Sequence, residues 1–62
     1  MNYKIEKLLS ELLIKEGFRD KKIVIKDYSY QGEGFYSVNF IELDESGKMI
    51  GVEMWRYLDT MD

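Results

Sequence analysis

The apolar residues of this chain change their spacing near residue 21, and this change constrains the fold more than any other feature. Up to Gly17 they recur every three or four positions, and after the charged connection Arg19–Lys21 they alternate with polar residues. A spacing of three and four predicts an amphipathic helix, whereas alternation predicts strands with one buried face. The sequence therefore predicts an α+β fold in which one N-terminal helix precedes the strands.

The predicted helix has one apolar stripe and suitable residues at both ends. The stripe consists of Ile5, Leu8, Leu9, Leu12 and Leu13. Asn2 is a suitable N-cap, and Gly17 suits the left-handed position that follows a helix C-terminus. Because only one face of this helix is apolar, we expect it to pack on the sheet.

Two glycine-containing turns divide the second part of the chain into three strands. The predicted strands are Lys22–Tyr30, Phe35–Leu43 and Lys48–Tyr57. A four-residue loop, Gln31–Gly34, joins the first two, and Asp44–Gly47 fits a type I turn with a glycine bulge. The expected architecture is a three-stranded antiparallel β-meander, α-β-β-β, in a single domain of residues 1–62. Residues 59–62 are expected to form a frayed tail.

The turns also predict the register of the sheet. The first loop would pair Tyr30 with Phe35, and counting from both turns places Phe40 between Ile25 and Val52. A slip of one residue would turn every side chain to the other face, so the pairing decides which residues are buried. The face predicted to meet the helix contains Ile23, Ile25, Tyr36, Val38, Phe40, Ile50, Val52 and Met54, together with the carboxylates Asp27 and Glu42.

The same counting gathers five aromatic residues on the face that the helix cannot cover. They are Tyr28, Tyr30, Phe35, Trp55 and Tyr57, with the carboxylates Glu33 and Glu53 at the rim. An apolar face that a small domain cannot bury usually marks a partner surface, and Tyr and Trp are frequent interface anchors. We therefore predict that these seven residues bind a partner.

Three interpretations of the aromatic face stay open from the residues alone. The rings stabilise the sheet through cross-strand pairs, or bind a protein, or stack on the bases of a single-stranded nucleic acid. Residues 31–62 contain two basic and seven acidic side chains, which gives a net charge of −5. An acidic half disfavours phosphate binding and favours a basic partner surface, so protein binding is the preferred interpretation.

The composition argues against catalytic and metal-binding classes. The chain has 62 residues and contains neither cysteine nor histidine, which removes disulfide frameworks, zinc fingers and nucleophiles activated by histidine. The carboxylates Glu42, Asp44 and Glu45 are best explained as solvated turn residues. We predict a non-enzymatic protein without metal or cofactor. Because no apolar run is long enough for a signal peptide or a membrane span, we expect it in the cytoplasm.

Two resemblances bear on function. The helix run Leu8–Leu13 and the segment Phe35–Gly51 resemble parts of a double-stranded-RNA-binding domain. That family needs a second helix that opens with a lysine pair, which the sequence does not contain, so RNA binding is not carried over. In size, acidity and α+β make-up, the chain resembles the small cysteine-free inhibitors of bacteriophages, such as anti-CRISPR proteins and uracil-DNA glycosylase inhibitors.

The second resemblance implies a small acidic inhibitor that occupies the basic surface of a host nucleic-acid-handling enzyme. The first alternative is a homodimeric structural or regulatory module that buries its aromatic sheet face between two copies. The second alternative is a single-stranded nucleic-acid binder that acts by base stacking, which the acidic second half disfavours.

Overall fold

The computed structural model describes residues 3–18 and 22–61, in which one helix packs on a three-stranded antiparallel sheet. Helix α1, Tyr3–Leu13, continues into a five-residue π-helical turn, Ile14–Phe18. The strands are β1, Lys22–Gly32; β2, Phe35–Leu43; and β3, Met49–Asp59, in the spatial order β1-β2-β3. The predicted α-β-β-β arrangement is confirmed.

The apolar stripe of α1 lies on the sheet. Leu9 and Leu13 are fully buried, and Ile5 and Leu12 are partly buried against the same core. Leu8 lies at the margin of the stripe and is exposed. An amphipathic helix of this length is marginal in isolation, so contact with the sheet supplies most of its stability.

The end of the helical segment is attached to β2 and β3. Gly17 has a φ of 114°, which ends the helix as predicted. The ring of Phe18 packs edge-on against Phe40, with 5.3 Å between the centroids. The guanidinium of Arg56 lies 5.3 Å from the centroid of Phe18 and pairs with Glu16 at 3.3 Å. The predicted N-cap, residue 2, and the connection 19–21 lie outside the described residues.

The β1–β2 register begins as predicted and then shifts. Ile25 pairs with Phe40, but a β-bulge at Lys26 makes Asp27 the partner of Asn39. Such a one-residue insertion reverses the face that each later residue of the strand occupies. Asp27 was predicted to face the helix. It lies instead on the sheet face that points away from α1, here called the open face, where its carboxylate is exposed.

The bulge also moves two predicted partner-binding tyrosines to the helix side of the sheet. Tyr30 pairs with Tyr36, whose ring centroid lies 5.1 Å from that of Tyr30 and 6.2 Å from that of Tyr28. The predicted pairing of Tyr30 with Phe35 is wrong, because a second irregularity makes Gly32 the partner of Phe35. The placement of Tyr28 and Tyr30 on the open face is therefore wrong.

The β2–β3 register agrees with the prediction near the second turn and shifts by two residues beyond it. Glu42 pairs with Ile50, but Phe40 pairs with Met54 and not with Val52. The cause is an irregular stretch in which β3 carries two more residues than β2. The prediction that Val52 belongs to the core is wrong, since its side chain is 72% exposed.

A shift of two residues keeps the residues of β3 beyond the irregular stretch on their predicted faces, and it carries β3 further than predicted. Trp55 and Tyr57 stay on the open face, while Leu58 pairs with Tyr36 and is only 1% exposed. The strand reaches Asp59, which pairs with Phe35. The core of the described residues consequently contains Leu9, Leu13, Ile25, Val38, Phe40 and Leu58.

The carboxylate of Asp44 organises the β2–β3 turn. Its Oδ1 accepts hydrogen bonds from the N–H of Ser46 at 2.8 Å, the hydroxyl of Ser46 at 2.6 Å and the N–H of Lys48 at 3.0 Å. The N–H of Asp44 donates to the carbonyl of Lys48, and Gly47 has a φ of 89°. These contacts confirm the predicted turn with its glycine bulge.

Asp44 should make the stability of this turn depend on pH. The hydrogen bond from the Ser46 hydroxyl, and then that from the Lys48 N–H, holds the pKa of Asp44 below its ordinary value of 3.8. A lowered folded-state pKa means that the stabilisation is fully present above the unfolded-state value and is lost as the pH falls through the folded-state pKa. We expect Asp44→Asn to reduce the loss of stability below about pH 4, measured by urea unfolding followed by circular dichroism.

The control for this prediction is Glu45→Gln, which removes a carboxylate from the same exposed turn. Glu45 accepts none of the turn's hydrogen bonds, so this variant should keep the wild-type pH profile. Equal changes in the two variants would mean that the acid sensitivity arises from overall charge and not from the Asp44 hydrogen bonds.

Candidate protein-binding face

Three of the five predicted aromatic anchors lie together on the open face. Trp55 and Tyr57 are 61% and 70% exposed, and Phe35 is exposed at the adjacent strand end. Trp55 pairs with Asn39, and Tyr57 pairs with Ser37, so both rings flank the central strand β2. The sheet therefore presents a row of large rings to solvent, opposite the face that α1 covers.

Polar side chains form the floor between these rings, and their hydrogen bonds are satisfied. Asn39 is buried and donates from Nδ2 to the carbonyl of Met54 at 3.1 Å. The buried hydroxyl of Ser37 accepts from Nε2 of Gln31 at 3.1 Å, and the same nitrogen lies 3.4 Å from the carbonyl of Ser29. These bonds fix the floor, so the face needs no partner to satisfy its buried polar side chains.

The open face carries the lysines Lys22 and Lys26 and the carboxylates Asp27, Glu33 and Glu53. Lys26 pairs with the predicted rim residue Glu53 at 3.1 Å, which neutralises both. Asp27 and Glu33 form no ion pair among the described residues. Arg56 is the only basic residue of β3, and it lies on the helix side, against Glu16 and Phe18. Carboxylates without an ion pair thus lie on the same face as the exposed rings.

The predicted rim residue Glu33 has an unusual backbone conformation. Its φ is 54° and that of Gly34 is 84°. Positive φ at both central residues is the pattern of a type I′ hairpin turn, which prefers Asn-Gly. The predicted four-residue loop is wrong, because β1 and β2 pair up to Gly32 and Phe35 and leave only two turn residues. A left-handed conformation costs a residue with a Cβ about 1–2 kcal/mol.

A shallow groove of about 550 Å³ lies between this turn and β3. Its lining residues are Gln31, Gly32, Glu33, Phe35 and Tyr57. The groove thus brings together three of the predicted partner-binding residues, while Trp55 and Glu53 lie further along the same face. Gln31 was not predicted, because its place on this face depends on the strand irregularity between Tyr30 and Gly32.

The last described residues close over the β1–β2 turn. The N–H and hydroxyl of Thr60 both donate to the carbonyl of Gly34, at 2.8 and 2.7 Å. The N–H of Met61 donates to Oδ1 of Asp59 at 2.9 Å. The expectation of a frayed tail is wrong for residues 59–61, because the longer β3 carries the chain to this turn. Residue 62 lies outside the described residues.

We expect Gly34→Ala to destabilise the protein more than Gly32→Ala does. Both glycines have positive φ, at 84° and 95°, so alanine is strained by roughly 1 kcal/mol at either position. A Cβ at Gly34 would also overlap Cγ of Met61, whereas a Cβ at Gly32 meets nothing within 4 Å. Urea unfolding of both variants would measure the difference.

Met61→Ala provides the control for this prediction, because it removes the overlapping Cγ and keeps only Cβ, 3.1 Å from the added atom. In the Gly34→Ala background, Met61→Ala should restore the stability that the overlap removes. That amount is the difference between the losses of Gly34→Ala and Gly32→Ala. Equal losses in Gly34→Ala and Gly32→Ala would contradict the packing of the chain end on the turn.

The described residues offer little else that resembles a site. Among them, no group of three or more His, Cys, Asp or Glu side chains is placed to hold a metal ion. None of the helices in that part of the chain has the length and apolarity needed to cross a membrane. A second depression, of about 350 Å³, is formed by one exposed side of α1 alone and is lined by Tyr3, Glu6, Lys7 and Ser10.

Comparisons of the chain with protein-family models, curated proteins and solved structures found no match. The functional argument therefore depends on the open face and its chemistry. Large exposed aromatic rings, such as those of Trp55 and Tyr57, are enriched at protein interfaces.

Proposed function

We propose that this protein is a non-enzymatic protein-binding module that uses its open face to occupy a basic surface of a partner. The observation that carries the proposal is the joint exposure of Trp55 and Tyr57, at 61% and 70%, on one side of the sheet. Trp and Tyr are enriched among the interface residues that contribute most to binding. Side chains of this size, side by side and uncovered on a small domain, are typical of an interaction surface.

The charge distribution supports a basic protein as the partner. Asp27 and Glu33 add unpaired negative charge around the rings, while Arg56 is held on the other side of the sheet. The same distribution weakens the alternative of single-stranded nucleic acid, because phosphates would meet carboxylates. Of the two lysines on this face, Lys22 and Lys26, the second is already paired with Glu53.

In its most specific form, the proposal is a small acidic inhibitor of the kind that bacteriophages encode against host enzymes. Such an inhibitor acts in the host cytoplasm and blocks a basic groove by placing carboxylates and rings where nucleic acid binds. The net charge of −3 and the absence of cysteine from the sequence support this form. The open face contains both the carboxylates and the aromatic rings that such a blocking surface would use.

The second candidate is a homodimer in which two open faces stack. Exposed Phe35 on the same face as Trp55 and Tyr57 favours it, because such a dimer would bury all three rings. The unpaired carboxylates Asp27 and Glu33 oppose it, since stacking brings like charges together. Sedimentation equilibrium over a concentration series separates the candidates: a monomer at every concentration eliminates the dimer.

The test of the binding module uses the double variant Trp55→Ala/Tyr57→Ala. Protein captured by the wild-type chain from a nuclease-treated bacterial lysate is identified and purified, and its affinity is measured by calorimetry. If the two rings are anchors, the double variant should weaken binding by at least about 1 kcal/mol, roughly fivefold in Kd. Nuclease treatment removes capture through nucleic acid.

The matched control is Met49→Ala/Val52→Ala. Both side chains belong to β3 and are 53% and 72% exposed, but they lie outside the ring cluster. Truncation of two exposed apolar groups there should leave the affinity within about 0.5 kcal/mol of wild type. Equal losses in the two double variants, or no loss in either, would reject Trp55 and Tyr57 as the anchors of binding.

A further inference from the structure

The groove beside the β1–β2 turn contains acceptors and rings but no basic side chain. Its five lining residues include the carboxylate of Glu33, the carboxamide of Gln31 and the rings of Phe35 and Tyr57. A carboxylate accepts hydrogen bonds and donates none, and ring faces attract cations. The lining therefore matches a cationic group that donates hydrogen bonds.

The carboxamide of Gln31 is oriented so that its oxygen is free to accept. Its Nε2 lies 3.1 Å from the hydroxyl of Ser37 and 3.4 Å from the carbonyl of Ser29, so both contacts use the donor end. No donor among the described residues bonds to Oε1. Because Nε2 is engaged by the sheet, Oε1 is the group of this groove-lining side chain that remains to accept a hydrogen bond.

Glu33 has a left-handed backbone conformation, which a glutamate residue disfavours. Its φ of 54° suits Asn or Gly, either of which would form this turn with less strain. Its carboxylate forms no ion pair or hydrogen bond with any described residue. Glu33 is one of the residues that line the groove, so it adds a negative charge there.

The two rings of the groove are diagonal neighbours across β2 and β3. Tyr57 pairs with Ser37, and Phe35 pairs with Asp59 two positions along each strand. Diagonal neighbours in a sheet lie about 7–8 Å apart, which leaves room for a flat group beside each ring. A planar guanidinium fits this spacing and stacks on aromatic faces.

We propose that the groove binds an arginine side chain of the partner, with the guanidinium between Phe35 and Tyr57 and its N–H groups directed at Glu33 and Gln31. The inference rests on the proposed function and names its central contact. Arginine fits better than lysine, because its planar fork reaches two separate acceptors while stacking on a ring. An ammonium is a compact charge that cannot do both at once.

The test is an NMR titration with short blocked peptides, Ac-Gly-Xaa-Gly-NH2, where Xaa is arginine, lysine or citrulline. Citrulline keeps the size and planarity of arginine but lacks its charge. We expect the arginine peptide to shift the amide signals of Gly32, Glu33 and the Gln31 side chain. Lysine should produce weaker shifts, and citrulline none.

Two variants of Glu33 test whether its carboxylate supplies the negative charge that binds arginine. Glu33→Gln removes it and keeps the side-chain length, while Glu33→Asn also suits the left-handed turn and should fold with less strain. Each should weaken arginine binding about two- to fivefold, the range for an exposed ion pair. The matched control, Glu45→Gln, changes the net charge equally in the turn at the other end of the sheet and should keep wild-type affinity.

The proposal is overturned if citrulline shifts the same signals as arginine, if lysine binds as well, or if Glu45→Gln weakens binding as much as Glu33→Gln. A captured partner whose affinity depends on Trp55 and not on Glu33 would also overturn it, while leaving the binding-module proposal intact. Arginine binding that depends on Glu33 supports the groove even where no partner depends on Trp55, so the two proposals fail separately.

Discussion

Replacement of Leu58 by alanine is expected to lower the free energy of unfolding by about 2–5 kcal/mol. Leu58 is 1% exposed and pairs with Tyr36 on the helix side of the sheet. It belongs to a core of only six buried apolar side chains among the described residues, so the remaining groups have little capacity to fill its cavity. Urea unfolding followed by circular dichroism measures the loss.

A domain of this size has few kcal/mol of stability, and Leu58→Ala could leave it unfolded. Leu58→Val removes less volume and should cost about 1 kcal/mol, which keeps the effect measurable. Val52→Ala is the control, because the sequence-predicted register buries Val52 whereas its side chain is 72% exposed. A large loss of stability in the Val52 variant with little loss in the Leu58 variants would contradict the observed register and support the one predicted from the turns.

The elements and their order follow from local patterns, which is why the sequence predicts them. The helix stripe, Gly17 and the Asp44 turn each depend on residues within a few positions of one another. Such local signals require no knowledge of the rest of the fold. The initial pairing of Ile25 with Phe40 was also predicted, and it is confirmed.

The bulge at Lys26 is not predictable in the same way, because the residue types there resemble those of an uninterrupted strand. One sign of it exists in the sequence. Counting without a bulge places the carboxylate of Asp27 on the buried face, where a charge without a partner is costly. The bulge resolves this conflict, because it turns Asp27 to solvent and the tyrosines after it toward the helix.

The candidate site is predicted in part for the same reason. Phe35, Trp55 and Tyr57 keep their predicted face, because a two-residue shift does not change which side of a strand a residue occupies. Tyr28 and Tyr30 change face, because a one-residue bulge does. The groove depends on an irregularity in β1 and a two-residue turn, so it becomes visible only when the pairing is known.

The bulge places Tyr28 and Tyr30 beside Tyr36 on the helix side of the sheet, and the second large prediction follows from this contact. Tyr36→Ala should lower the free energy of unfolding by about 2–4 kcal/mol. Tyr36 lies on the central strand, with ring centroids 6.2 Å from Tyr28 and 5.1 Å from Tyr30. Its loss removes two aromatic contacts and exposes the side of the core that includes Leu58. Thermal and urea unfolding of the purified variant measure the effect.

Tyr57→Ala is the matched control, because it removes the same side chain from the opposite face of the same sheet. Tyr57 is 70% exposed, so its removal should change the free energy of unfolding by no more than about 0.5 kcal/mol. Tyr36→Phe keeps the ring and should retain most of the stability that Tyr36→Ala loses. Equal losses at Tyr36 and Tyr57 would contradict the bulge at Lys26, since only an unbroken register places Tyr28 and Tyr30 beside Tyr57 on the open face. A loss confined to Tyr36 would leave Tyr57 free of a structural role and available for binding.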